Sequence, residues 1–295
     1  MSIIFGVPMA VLFGQLLLGL INGAFYALLS LGLAVIFGLL KIINFAHGAF
    51  YMLGALCAVV LFNAFGVGYW LTLLLVPILV GALGVAVEYF LLRKIANEEP
   101  IYSLLLTFGL ALVIQGLFTN IYGVSGLRYA MPEVFRGGVN LGFMFLPYYR
   151  AWIIVVALLV CLATWLMIEK TKLGAYLRAG TENSPLLQAF GINVPLLVSL
   201  TYGFGVMLAA FAGVLAAPIY SVTPVMGANL LIIVFAVVVI GGMGSIVGAV
   251  ITGLAMGVIE GLTKVFYPEA SSTVIFLVMV LVLLVRPAGL FGKEA

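Results

Sequence analysis

The chain's single histidine, His47, lies in INFAHG, residues 43–48, between two apolar runs. An imidazole beside the Asn44 amide offers three chemistries: proton transfer, metal ligation, or hydrogen bonding to backbone that a helix has released. Proton transfer in a hydrolase needs a Ser or Cys nucleophile in a recognisable elbow, and none accompanies His47. Cys57 and Cys161 fall inside apolar runs with no CxxC or His-rich pattern, so both read as small buried hydrophobes. No catalytic residue, metal site or cofactor is therefore assigned. GxxxxGK[ST] is absent as well, so ATP chemistry through a P-loop would have to come from a partner. What remains for Asn44 and His47 is to satisfy freed backbone in a broken helix, the first reading, or to line the inner end of a path, the second.

Two further groups carry chemical potential. Glu88 and Glu260 sit inside apolar segments, where an ionisable residue is a functional candidate by default, but both are near segment ends and read as side chains snorkelling to the interface. Gly244, Gly248, Gly253, Gly257 and Gly261 form a ladder with GSIVG, GLAMG and GVIEG. Small residues at that spacing let helix backbones approach closely in lipid, so Gly248, Gly253, Gly257 and Gly261 are assigned to helix packing. Gly292, in the tail, is expected to tolerate a side chain. Gly241-Gly242-Met243-Gly244 breaks a helix between two apolar runs, and it reads equally as part of a translocation path or as a plain tight turn.

The elements that position these residues follow from composition. Hydrophobic residues make up 66% of the chain and charged residues 7%, against roughly 25% charged in a soluble domain. The chain is an integral membrane protein, and long apolar runs without alternation exclude a barrel. The fold class is all-α, a polytopic bundle in one transmembrane domain over residues 1–295, with room for about eight to ten spans at about 20 residues each and with broken or re-entrant elements. Nine segments are expected: Met9–Leu40, Ala49–Phe65, Trp70–Leu92, Ile101–Ile121, Ala151–Ile168, Pro195–Ala217, Leu230–Ile240, Ser245–Leu262 and Ser272–Val285. The first is too long for one bilayer crossing, and Asn22-Gly23 is its expected weak point, a second broken-helix candidate. The N-terminus lacks the charged region of a cleaved signal peptide and is read as retained.

Lys41, Arg93, Lys94, Lys170, Lys172, Arg178, Arg286 and Lys293 fall on one face if each segment crosses once, which makes that face cytoplasmic and puts the C-terminus there. The loop 122–150, with Arg128, Arg136 and Arg150, is then a folded external loop. No basic run is long enough to suggest nucleic acid. On the cytoplasmic side, Glu169 to Val194 begins polar and then carries Leu186, Leu187, Ala189 and Phe190. It predicts a short helix with Ser184 as N-cap, Pro185 at the first helical position and Gly191 beyond the end. A helix so short is marginal alone, so its apolar side chains should dock on a partner protein.

NFAHG at 44–48, AGVLAAPIYSVTPVMG at 212–227, IGGMGSIVGAVITGLAMGVIEG at 240–261 and RPAGLFG at 286–292 resemble the membrane permeases of bacterial high-affinity branched-chain amino acid ABC importers, the shorter of the two in such systems. The resemblance implies an inner-membrane permease that forms the path for branched-chain amino acids or a related small polar solute. It also implies partners: a second homologous permease or a second copy, two cytoplasmic ATP-binding subunits and an external solute-binding protein. In this family each permease couples to an ATPase through a cytoplasmic segment, and Gly174, Arg178, Glu182, Leu187, Phe190 and Gly191 stand in the matching stretch. Ala175 stands where the family commonly has Arg, and Val247 where Pro is common. The alternatives are a permease for urea, short amides or other amino acids, a secondary transporter, or a passive channel. The segment 169–194 argues against the last two.

Overall fold

A backbone in lipid has no water to pair with, so each apolar run closes its hydrogen bonds as a helix. The computed structural model describes residues 3–4, 7–96 and 98–292. A strand pair, β1 (Ile3–Ile4) and β2 (Val7–Pro8), precedes α1 (Met9–Leu40), α2 (His47–Phe65), α3 (Tyr69–Phe90) and α4 (Pro100–Tyr122). A small hairpin, β3 (Gly138–Asn140) with β4 (Phe145–Pro147), leads into α5 (Tyr148–Lys170). Then follow α6 (Lys172–Glu182), α7 (Ser184–Ala189), α8 (Val194–Ala216), α9 (Met226–Gly241), α10 (Ile246–Phe266) and α11 (Val274–Val285). Among the described residues, seven helices, α1 to α5, α8 and α10, are long and apolar enough to cross a membrane.

Each of the nine expected segments coincides with one helix, but two are shorter than a span. With 16 and 12 residues, α9 and α11 measure about 24 and 18 Å against a hydrocarbon core of about 30 Å. The expectation of a break at Asn22-Gly23 is overturned, because α1 runs through it as one helix of 32 residues. Gly23 is there for packing, and a neighbouring backbone offsets its low helix propensity.

The chain gathers into two compact units. The first comprises Met1–Ser30, Met131–Leu162 and Ile233–Ala295. Its centre is the first part of α1 against α10, where Gly19, Gly23 and Ala27 face Gly253, Gly257 and Gly261. A Cβ on Gly253 would lie 2.5 Å from the Ala27 Cα, and one on Gly261 2.4 Å from the Gln15 carbonyl oxygen. The hairpin seats against the start of α1 through the rings of Phe143 and Phe13, 5.7 Å apart.

The second unit comprises Leu31–Ala130 and Ala163–Ile232. Its centre is α8, which packs on α2 and α3 at the same close range. Gly54 of α2 abuts Ala210, Gly213 abuts the Tyr51 carbonyl, and Gly203 lies between Val85 and Gly81 of α3. The outer face of α3 carries Leu71, Leu74, Leu75, Ile78 and Leu79, all exposed, and on α4 only Thr107 and Phe118 are buried. Apolar faces of this kind suit lipid or a partner helix.

Candidate functional site

In the second unit, INFAHG forms a buried turn between α1 and α2. Asn44 and His47 are 0% and 1% exposed. The Asn44 side-chain oxygen accepts the Ala46 N–H at 3.1 Å, and the Phe45 N–H donates to the Thr107 hydroxyl of α4 at 3.0 Å. That hydroxyl in turn lies within 3.2 Å of the Ile43 carbonyl oxygen. The turn is thus held by side chains that replace the helix bonds lost after Leu40. The His47 ring packs against α1, where a Cβ on Gly32 would approach its Cε1 to 3.0 Å. The Asn44 amide nitrogen and the Tyr202 hydroxyl of α8 are buried with no hydrogen-bond partner among the described residues.

Residues 169–194 form two helices, not one. Between α5 and α6 the chain turns sharply at Thr171, so tightly that a Cβ on Gly174 would collide with the Ile168 carbonyl oxygen. Arg178 pairs back to Glu169 at 3.6 Å across that corner, so its guanidinium already has a carboxylate within the chain. Glu182 ends α6, exposed. The cap of α7 is Asn183, not Ser184: its Oδ1 accepts the Leu186 N–H at 3.0 Å, and Ser184 falls inside the helix. Asn193 does the same for α8, accepting from Leu196 N–H at 3.1 Å. The rhyme Asn183-Ser184-Pro185-Leu186 and Asn193-Val194-Pro195-Leu196 is one device used twice, a short amide cap with proline in the first turn. Gly191 follows α7 at φ +82°, the left-handed position expected of it.

The apolar side chains of α7 divide. Leu187 is buried, packed beneath Gly180 of α6, so it anchors the helix and does not present a docking face. Phe190 is 75% exposed and Leu186 54%. These two are the exposed large apolar side chains of α7 and its C-cap.

In the first unit, Gly241-Gly242-Met243-Gly244 is a tight turn with Gly242 and Gly244 at φ +98° and +93°. Ser245 caps α10 through its Oγ, which accepts the Gly248 N–H at 3.0 Å. The carbonyls released at the end of α9 are taken by the tail: Leu290 N–H donates to Ile240 at 2.8 Å and Phe291 N–H to Gly241 at 3.1 Å. Gly289, at φ +82°, and Gly292 both press on Gly242. Gly292 is therefore a packing glycine, contrary to expectation, because a Cβ there would also meet the Ala288 carbonyl oxygen. Asn22 lies on the unbroken α1 of this unit, partly buried.

Residues 15–283 match the family described as branched-chain amino acid transport system, permease component. The chain belongs to this permease family. It is 31% identical over 294 residues to the high-affinity branched-chain amino acid transport system permease protein LivH of Salmonella typhimurium, with 95% of each chain covered. The same figures hold for BraD of Pseudomonas aeruginosa. Against LivM of Escherichia coli identity is 26% over 291 residues, 90% of this chain and 67% of the relative. The chain therefore matches these two relatives over 95% of each length and a longer permease in part. No solved structure matches.

This permease also holds two buried ionic clusters whose nature the snorkelling reading misjudged. Glu88 is 3% exposed, and its carboxylate meets Arg93 at 3.2 Å and the Ser199 hydroxyl of α8. Arg93 donates as well to the Pro195 carbonyl at 3.0 Å, in the first turn of α8. Glu260, 9% exposed, accepts from the Tyr26 hydroxyl at 2.6 Å and pairs with Lys264 at 2.5 Å. Each carboxylate has a buried hydroxyl partner, Ser199 or Tyr26, and a cation that is about one-third exposed. Lys264 at i+4 was a readable signal for Glu260, whereas Ser199 and Tyr26 lie more than a hundred residues from their acids.

Proposed function

We propose that this chain is the translocation subunit of an ATP-driven importer for branched-chain amino acids, working with a second permease, two cytoplasmic ATP-binding subunits and an external solute-binding protein. The observation that carries this reading is the α6–α7 segment. It is rigidly built by Gly174, Asn183 and Leu187, yet it leaves Phe190 and Leu186 exposed in a stretch outside the spans. Family membership over nearly the whole chain supports the substrate class.

With α6–α7 on the cytoplasmic side, helix α7 seats on the ATPase, and its displacement reaches α8 directly through Gly191–Asn193. Arg93 ties the first turn of α8 to Glu88 of α3, so a push on α7 moves α8 and α3 together. The C-terminus is cytoplasmic on the same reading. INFAHG acts as a structural turn rather than as a substrate contact, and solute selectivity rests mainly on the external binding protein. The test is reconstitution of the chain with these partners in liposomes. Leucine, isoleucine and valine uptake that requires ATP and competes with one another supports the reading, whereas uptake of urea or a short amide in their place overturns the substrate class.

A further inference from the structure

Two adjoining cavities of about 210 and 220 Å³ lie under α6 in the second unit, and Leu177 and Leu197 line both. The first is apolar, walled by Val35, Met167, Phe204 and the exposed side chains Leu173 and Leu200, so it opens at the surface. The second carries Lys41 and Ser184 among apolar neighbours. Together they make a groove with a greasy end and a cationic, hydroxyl-bearing end.

Lys41 is out of place as a backbone residue. It follows α1 at φ +57°, the one non-glycine residue with positive φ among those described. Glycine is the cheaper occupant of this helix-ending position, so a lysine there points to a task for its side chain. Among the described residues Lys41, Lys170 and Lys172 form no ion pair. Of the acids on the same elements, Glu169 pairs with Arg178, and Glu182 at the end of α6 forms no ion pair among the described residues. The Ser184 hydroxyl accepts from the Gln188 amide at 3.0 Å, which leaves its own proton to donate. Lys170 lies 5.7 Å over the Trp165 ring, an aromatic–cation pairing suited to the headgroup layer.

We propose that this groove binds one anionic phospholipid, with an acyl chain in the apolar cavity and the phosphate on Lys41 and Ser184. The chain end of the ligand answers the apolar walls, and the Lys41 ammonium with the Ser184 hydroxyl answers the phosphate. The lipid would wedge between α1, α6 and α8 at the root of the coupling segment.

The test is native mass spectrometry of the purified full-length chain titrated with phosphatidylglycerol, phosphatidylcholine or glycerol phosphate. Phosphatidylglycerol is expected to bind with clear preference over phosphatidylcholine, and glycerol phosphate not to displace it. Lys41→Gln should weaken phosphatidylglycerol about fivefold, the effect of one lysine at an anionic headgroup, and leave phosphatidylcholine unchanged. Lys41→Gly should do the same while raising thermal stability, because it removes the charge and the backbone strain together. Leu200→Trp, at the exposed rim, should weaken both lipids. Equal affinity for the two lipids, displacement by glycerol phosphate, or unaltered binding in all three variants would each overturn the proposal. None of these outcomes depends on the transport reading, which stands or falls on uptake.

Discussion

Gly257 of α10 lies against Gly23 of α1 so closely that a Cβ on Gly257 would sit 2.3 Å from both the Cα and the amide nitrogen of Gly23. No rotamer relieves that contact, since the opposing atoms are backbone. Gly257→Leu must push two helices apart and is expected to cost at least about 1–3 kcal/mol, the usual range for overpacking. Gly116→Leu on α4 meets nothing within 4 Å and should be nearly neutral. Thermal unfolding in detergent separates them, and equal stability would refute the packing assignment.

The Glu88 cluster predicts a second asymmetry. Arg93→Ala leaves a buried carboxylate with only Ser199 as partner, whereas Glu88→Gln keeps a hydrogen-bonding group in place. A buried pair broken from one side costs about 3–5 kcal/mol, reduced here to roughly 1–3 because the Arg93 side chain is 33% exposed and screened. Arg93→Ala should therefore lower the melting temperature more than Glu88→Gln does.

Within α7, Leu187→Ala removes a buried anchor and should destabilise the protein by roughly 2–5 kcal/mol. Phe190→Ala removes an exposed ring and should leave thermal stability within about 0.5 kcal/mol. If the two behave alike, the division between anchor and docking face is wrong.

The tail makes a fourth prediction. Gly289→Ala forces a left-handed residue to carry a Cβ 2.5 Å from the Gly242 Cα, so the tail should release the end of α9. Faster hydrogen exchange at Leu290 and Phe291, whose N–H groups close that contact, would be the signature.

Much of this architecture is readable from local pattern. Apolar run length placed all nine larger helices, because in lipid a run has no other way to satisfy its backbone. The glycine ladder of α10 is legible too, but of the residues facing it on α1 Gly23 reads from sequence, with Asn22, as a weak point, and Gly19 and Ala27 carry no signal of their own. A glycine that eases a helix and a glycine that admits a neighbour look the same until the neighbour is known. Helix α6 escaped notice because its polar composition hid Leu173, Tyr176 and Leu177, spaced to share one face. Ser184 reads as the cap from sequence, but its neighbour Asn183 is an equally good cap type and the backbone decides between them. Apart from the i+4 pair Glu260–Lys264, the ionic clusters are illegible for a different reason: Ser199 and Tyr26 come to Glu88 and Glu260 only through the tertiary fold.

The coupling claim is tested most directly by measuring ATP hydrolysis and leucine uptake side by side in liposomes holding the complete transporter with Phe190→Ala. The chain alone is expected to hydrolyse no ATP, and the variant complex either to lose ATPase association or to hydrolyse ATP with a fall in uptake per ATP. The external binding protein should keep its affinity for leucine throughout. Full assembly with unchanged uptake per ATP would contradict the account and leave α6–α7 as a connector.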